Sequence, residues 1–287
     1  MRVITTALET MDLISRSREK GKTVTFVPTM GALHEGHLAL FREAQKRGDL
    51  VVVSIFVNPT QFDDKQDYEK YPRHLAADLK ACEKVGVDVV FAPSELEIYP
   101  TDDRSPPMSV PAVARALEGA SRPGHFDGVV SVVSRLFRIV NPEIAIFGQK
   151  DYQQLRVIQE MVHEQGMTIE IVGHPIVRTK EGLAMSSRNE RLSPEGRRKA
   201  LALFRGLQSC EELFLQKERE PARLTASVRQ VLEGEKEIEI DYVTLVDAQS
   251  LEEISKITKS CVVLIAAFVE GVRLIDNCLL KSFRVKK

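Results

Sequence analysis

Short apolar runs, several rich in β-branched residues, alternate with stretches of helical spacing over roughly the first two thirds of the chain. Residues 24–27 read as a buried strand, and Pro28, with no N–H for a sheet ladder, is expected to end it. Thr29, Met30 and Gly31 form a turn, after which Leu38, Leu40, Phe41 and Ala44 recur at helical spacing. Residues 50–57, LVVVSIFV, form the near-continuous run typical of a parallel strand covered on both faces, and Asn58-Pro59-Thr60-Gln61 stops it. A helix follows over 75–84 with Gly86 as its stop, then a strand over 87–91. A short helix at 113–117 and a longer one at 129–139 precede a strand at 143–147. Residues 151–165 predict a helix with Asp151 near its N-cap, and 168–172 a further strand. The first 22 residues read as a strand and an amphipathic helix.

Strand–helix alternation to about residue 177 predicts an α/β, Rossmann-like parallel sheet with helices on both faces. The texture then changes. Met185 to Asn189 is small and polar, and Ser193-Pro194-Glu195 suits a helix start. Helices over 194–214 and 222–232 and strands over 242–246, 261–269 and 272–274 make a smaller α+β C-terminal domain. The boundary is set at 183/184. Two connections stand out. Residues 62–73 are polar and long for a link, and read equally as a mobile lid or a plain surface loop. Residues 99–107 form a loop ending in Pro106-Pro107.

A length of 287 residues suits about two domains, and 43% hydrophobic residues suffice for substantial cores. With 40 Lys+Arg against 41 Asp+Glu, a surface for a bulk polyanion such as nucleic acid is disfavoured, though a local phosphate site is not. Lys281, Arg284, Lys286 and Lys287 form a small basic tail that reads as a solvated end. Cys82, Cys210, Cys261 and Cys278 form no C-x-x-C pair, so free thiols and a reducing compartment are expected. The N-terminus lacks the texture of a signal peptide, and the longest apolar run, 261–269, is too short to span a bilayer. A soluble cytoplasmic chain is expected, with no membrane partner.

Ligands in such sheets sit outside the carboxyl ends of the strands. Three segments fall there: 29–37, 58–61 and 148–151. The first places His34, Gly36 and His37 at a helix start, where unpaired N–H groups and the helix dipole suit phosphate. A strand–turn–helix with two histidines is equally an ordinary surface feature.

The blocks VPTMGALHEGHLAL, SIFVNPTQF, FGQKDYQQL and RTKEGLAMSSRNERL occur in this order and span most of the chain. Together with RPGHFDGV and RLIDN they resemble the pantoate–β-alanine ligase family. His34-Glu35-Gly36-His37 resembles the HIGH signature of the nucleotidyltransferase superfamily, which includes class I aminoacyl-tRNA synthetases. The resemblance implies ATP-dependent condensation of pantoate with β-alanine through a pantoyl adenylate, releasing AMP and pyrophosphate. It implies ATP contacts at Met30, Gly31, Ala32, Leu33, His34, Glu35, Gly36 and His37. Further ATP contacts are implied at Gly148, Gln149, Lys150, Asp151, Val177, Met185, Ser186, Ser187 and Arg188. Gln61 and Gln154 would hold pantoate, with Gln61 also facing β-alanine. His34, His37, Lys150 and Arg188 would act catalytically, His37 as proton donor. Magnesium would ride on the ATP phosphates rather than in a protein cage. A homodimer is implied, with the smaller domain closing over the ATP site. Glu181 stands where the family often has Asp, and Gln149 where Glu is also seen. A nucleotidyltransferase that stops after passing AMP to a phosphorylated acceptor is one rival. Gln61 and Gln154 argue against it, since a phosphate acceptor would call for more Lys or Arg. An RNA-binding, synthetase-like module is a second rival, against which the charge balance speaks.

Overall fold

The computed structural model describes residues 1–63, 65–102 and 108–281. Pro106, Pro107 and the tail residues Arg284, Lys286 and Lys287 lie outside them. The chain divides into two compact units, Met1–Gln149 with Gln153–Pro175, and Lys150–Tyr152 with Ile176–Lys287.

The first unit holds six strands: β1 (Arg2–Ile4), β2 (Val24–Thr29), β3 (Leu50–Ile55), β4 (Val89–Phe91), β5 (Ile144–Gly148) and β6 (Glu170–His174). All pair in parallel, in the order β1-β4-β3-β2-β5-β6. Between them run α1 (Ala7–Glu19), α2 (Glu35–Arg47), α3 (Lys65–Lys70), α4 (Leu75–Val85), α5 (Glu95–Ile98), α6 (Glu118–Ser121), α7 (His125–Val140) and α8 (Tyr152–Glu164). Side chains alternate across a strand, and the cores follow that alternation. Phe26, Val52, Ala145 and Phe147 join one layer with Phe137 of α7 and Ile158 of α8. Val27, Val51, Val53 and Ile146 join the other with Phe41 of α2 and Cys82 of α4. The sheet is therefore covered on both faces, as the continuous apolar runs required.

Pro28 does not end β2; it lies inside the strand, paired in register with Ser54. The Thr29 carbonyl accepts from Phe56 N–H on the β3 side, so alternation turns Pro28 to the other flank. There β5 pairs only with Thr25 and Phe26, and no ladder bond is lost. β3 likewise stops at Ile55, two residues short of the apolar run. From β2 the order steps outward through β3 and β4, then returns to β5 on the other side of β2. The sheet reverses at the β2/β5 boundary, where open α/β sheets bind ligands.

The second unit contains α9 (Pro194–Leu215), α10 (Pro221–Glu233), β7 (Ile238–Asp247), β8 (Cys261–Val269) and β9 (Val272–Leu280), the strands antiparallel in the order β7-β8-β9. β8 packs against Leu203 and Leu207 of α9 and Val228 of α10 in one apolar cluster. β7 and β9 are longer than the 242–246 and 272–274 runs, because Asp241, Asp276 and Asn277 interrupt their apolar pattern while the strands continue through them. Glu270 and Gly271, at φ 51° and 73°, make the tight turn of the β8–β9 hairpin. The 183/184 boundary falls inside a smaller hairpin, where Thr179 N–H donates to Leu183 O (2.8 Å) and Met185 N–H to Val177 O (2.9 Å). The four cysteines are free, and burial pushes the Cys82 thiol up to about 12. Among the described residues, no helix is long and apolar enough to cross a membrane.

Candidate active site

The turn leaving β2 is built on left-handed backbone, with φ 80° at Gly31 and 50° at Ala32. Its anchor is Asp78 of α4, 4% exposed, a residue without a role in the sequence reading. One carboxylate oxygen accepts Ala32 N–H (3.0 Å) and the other Leu33 N–H (2.8 Å). A Cβ on Gly31 would sit 2.8 Å from Asp78 Oδ2, so glycine is required on steric and dihedral grounds. A signal was present: Asp78 lies one helical turn before Cys82, on the apolar face of α4, and a buried carboxylate demands donors.

His34 then caps α2. Its Nδ1 accepts Gly36 N–H (3.2 Å), and His37 Nδ1 accepts His34 N–H (3.3 Å), a reciprocal capping box. The two rings lie 4.1 Å apart between centroids. An accepting Nδ1 means the neutral ring carries its proton on Nε2. The backbone N–H groups of His37 and Leu38 are taken by His34 O. The expectation of unpaired N–H groups at this helix start is thus revised: the cap engages those of Gly36, His37 and Leu38.

At the end of β3, the neighbour of β2, Asn58 is 1% exposed and organises the turn bearing Gln61. Its Nδ2 donates to Gln61 Oε1 (3.0 Å) and Gly128 O (3.1 Å), while its Oδ1 accepts from Thr60 Oγ1 (3.0 Å) and Tyr99 OH (2.8 Å). His125 Nδ1–H donates to Gln61 O (2.8 Å), and Arg122 NH1 lies 3.3 Å from His125 Nε2. Burial is the largest influence on Asp63 and opposes its ionisation, but the Arg122 guanidinium, a backbone N–H and His125 together outweigh it and hold the carboxyl below its usual range. A Cβ on Gly128 would meet Thr60 O at 2.3 Å, so only glycine lets α7 approach this turn. The RPGHFDGV block is the backing of Gln61, a role sequence reasoning did not give His125.

α8 carries two adjacent glutamines with opposite fates. Gln153 is 4% exposed; it donates to Val113 O (2.9 Å) and Ala116 O (2.8 Å) and accepts from Glu118 N–H (3.0 Å). Gln154, turned about 100° around the helix, is half-buried. At the end of β5, a Cβ on Gly148 would meet no protein atom, and Gln149 Nε2 donates to Gly173 O (3.3 Å).

In the second unit, Lys150 Nζ lies 3.5 Å from Asp151 Oδ1, and Asn277 Nδ2 holds Lys150 O (2.9 Å). The hairpin bearing Val177 and Met185 is tied by Arg178, whose guanidinium forks onto buried Asp276 (2.6 and 2.9 Å), donates to Gly182 O (3.1 Å) and stacks over Phe204 (4.5 Å). Asp276 and Asn277 account for the RLIDN block. Ser186 caps the turn Ser187–Arg191, accepting Arg188 N–H (3.3 Å). Among the described residues, no group of three or more His, Cys, Asp or Glu is placed to hold a metal ion.

A parallel sheet that reverses beside a histidine-capped helix start is the frame of an open, doubly wound α/β ligand-binding protein. The family described as Pantoate-beta-alanine ligase matches residues 2–279. The pantothenate synthetase of Thermotoga neapolitana is 49% identical over 98% of this chain and 100% of its own length. The crystal structure of pantothenate synthetase from Thermus thermophilus superposes with TM-score 0.91 at 41% identity, covering 97% of this chain and 99% of that one. The Francisella tularensis pantoate-beta-alanine ligase, complexed with Beta-gamma ATP and Beta-alanine, matches with TM-score 0.78 at 33% identity, covering 97% of each chain. The chain belongs to the pantoate–β-alanine ligase family.

Proposed function

We propose that this chain condenses pantoate with β-alanine using ATP. The pantoate carboxylate attacks the α-phosphorus, pyrophosphate leaves, and pantoyl adenylate forms. The β-alanine amine then attacks the acyl carbonyl; AMP leaves and the amine proton is released. Family membership supports the reaction, and one geometric observation carries the site: two imidazoles paired in the cap of α2 at the end of β2, beside the Gln61 turn at the end of β3.

The difficulty of the first step is charge, since a carboxylate must approach a polyphosphate. Positioning and fixed donors therefore dominate catalysis. His34 and His37 hydrogen-bond phosphate oxygens, with His37 the donor as charge builds. The first-unit turn Met30–Leu33, with Glu35, Gly36, Gly148 and Gln149, lines the nucleotide. Gln61 and Gln154 bind pantoate through uncharged amides, which suit a hydroxy acid, and Gln61 also meets β-alanine. In the second unit Lys150 and Arg188 offset phosphate charge, Ser186, Ser187 and Met185 complete the phosphate segment, and Val177 touches adenine. Magnesium accompanies ATP and is bound mainly by phosphates and water, with the carboxylate of Asp151, which also faces Lys150 Nζ, at the edge of its shell. That fits an ion which prefers one or two carboxylates plus phosphates. Magnesium would there neutralise phosphate charge. The first unit serves as the nucleotide and pantoate domain and the second as its smaller closing partner, in a cytoplasmic homodimer.

The test is pantoate-dependent exchange of labelled pyrophosphate into ATP, with AMP as the nucleotide product. Exchange that ignores pantoate, or ADP as product, would remove the reading. Sedimentation checks the dimer.

A further inference from the structure

We propose that Asp78 is a positioning residue for adenylate formation: its carboxylate fixes the Gly31–Leu33 turn and so aims the imidazoles of His34 and His37. The inference rests on the adenylation reading above and concerns a residue to which that reading gives no role.

Three observations carry it. Asp78 is 4% exposed, on a helix whose other buried residue, Cys82, is apolar in behaviour. A carboxylate there is costly unless its oxygens are satisfied. Its two oxygens accept from consecutive N–H groups, Ala32 at 3.0 Å and Leu33 at 2.8 Å. Such charge-assisted bonds are about twice as strong as neutral ones. The turn they hold is one the backbone would not choose: φ is 80° at Gly31 and 50° at Ala32, a non-glycine residue. Left-handed conformations of this kind persist only where surroundings enforce them.

The chain of positions is short. Leu33 N–H is fixed by Asp78, the next residue is His34, and His34 N–H binds His37 Nδ1 at 3.3 Å. Rotation of the 32–33 peptide therefore moves the His34 cap and, through it, both rings. Asp78 also removes two backbone donors that a phosphate could otherwise reach. A phosphate met at the imidazoles is thus met by donors whose direction the turn sets. A misplacement of about 1 Å remote from the chemistry can cost about 100-fold in rate.

The neutral amide of Asp78→Asn keeps the volume but has one acceptor oxygen for two N–H donors, and turns an N–H₂ group toward one of them. The matched control is Asp247→Asn. Asp247 is also buried (3% exposed) and accepts from consecutive N–H groups, those of Gln249 and Ser250, each at 2.9 Å, in the second unit. Pantoate-dependent pyrophosphate exchange is measured per folded molecule, alongside attack of β-alanine on isolated pantoyl adenylate. For Asp78→Asn, exchange is expected to fall about 100-fold, the β-alanine half-reaction only a few-fold, and its KM for β-alanine not at all. Asp247→Asn is expected to lower stability and neither rate. Imidazole nitrogen NMR supplies a readout independent of turnover: the Nε2–H tautomer of His34 and His37 is expected to become mixed in Asp78→Asn and to stay fixed in Asp247→Asn. If Asp78→Asn does not fold, Gly31→Ala disturbs the same contact from the other side and must give the same separation of half-reactions. Undiminished exchange, an equal fall in both half-reactions, or an unchanged tautomer signature would overturn the role of Asp78 while leaving the reaction intact. Absence of exchange in the unaltered chain would overturn the adenylation reading and this inference with it.

Discussion

Both units restrain a loop with a buried aspartate, but they bind it differently. In the first, Asp78 grips backbone N–H groups and dictates the dihedral angles of the turn. In the second, Asp276 grips the Arg178 guanidinium, and the hairpin around it is closed by its own N–H···O bonds. A carboxylate bound to backbone controls geometry. A carboxylate bound to a half-buried cation controls stability, because losing it strands a charge. The first device suits donors that must be aimed, and the second suits a scaffold that must stay closed.

The largest expected effect tests whether the first loop exists for chemistry. His37→Ala should cost about 2.7–4 kcal/mol of transition-state stabilisation, a 10²–10³-fold loss of turnover. The missing cap should cost only about 1 kcal/mol of stability. Near-normal turnover with an intact circular dichroism spectrum would break the contrast from that side. Next is Asp276→Ala, which leaves Arg178 unpaired, with only 19% of its side chain exposed. Denaturant unfolding should show a loss of about 3 kcal/mol; a cost below about 1 kcal/mol, the worth of an exposed pair, would mean that Gly182 O and Phe204 suffice to hold Arg178.

The adjacent glutamines sharpen the comparison within one helix. Gln153→Ala leaves three backbone partners unmatched and should lower stability by about 2 kcal/mol, with the pantoate KM unchanged. Gln154→Ala should leave stability alone and raise the pantoate KM about tenfold, the worth of one hydrogen bond of about 1.4 kcal/mol. Exchange of the two phenotypes would show that the wrong glutamine has been assigned to substrate.

The last effect concerns pH. Burial opposes the charge on Asp247, but Lys259 at 2.9 Å and the N–H groups of Ser250 and Gln249 prevail, drawing its pKa down to about 2. A folded value below the unfolded one, about 3.9, means stability present above about pH 4 and lost as pH falls toward about 2. Acid titration of unfolding should flatten over that window in Asp247→Asn. Parallel curves for the two proteins would count against the assignment.

Much of the first unit was legible in the chain. Its β-branched runs are buried on both faces, so period and composition announce them. Pro28 misled because tolerance of proline depends on which flank of the strand has a partner, and sheet order is not local. The polar residues Asp276 and Asn277 hid most of β9, since each answers a partner distant in sequence, Arg178 and Lys150. The role of His125 was equally hidden: it is defined by a carbonyl at Gln61, 64 positions away.

Sequence alone determined the alternating α/β frame, the second α+β region, and the blocks that marked the family, because apolar period and glycine placement are encoded residue by residue. The tertiary structure decided which atoms are donors. The imidazole Nδ1 atoms accept from backbone N–H groups, the turn amides answer to Asp78, and Gln153 is bonded to three backbone groups. Hydrogen-bond capacity is written in each side chain, but how it is spent depends on what the fold brings within about 3 Å.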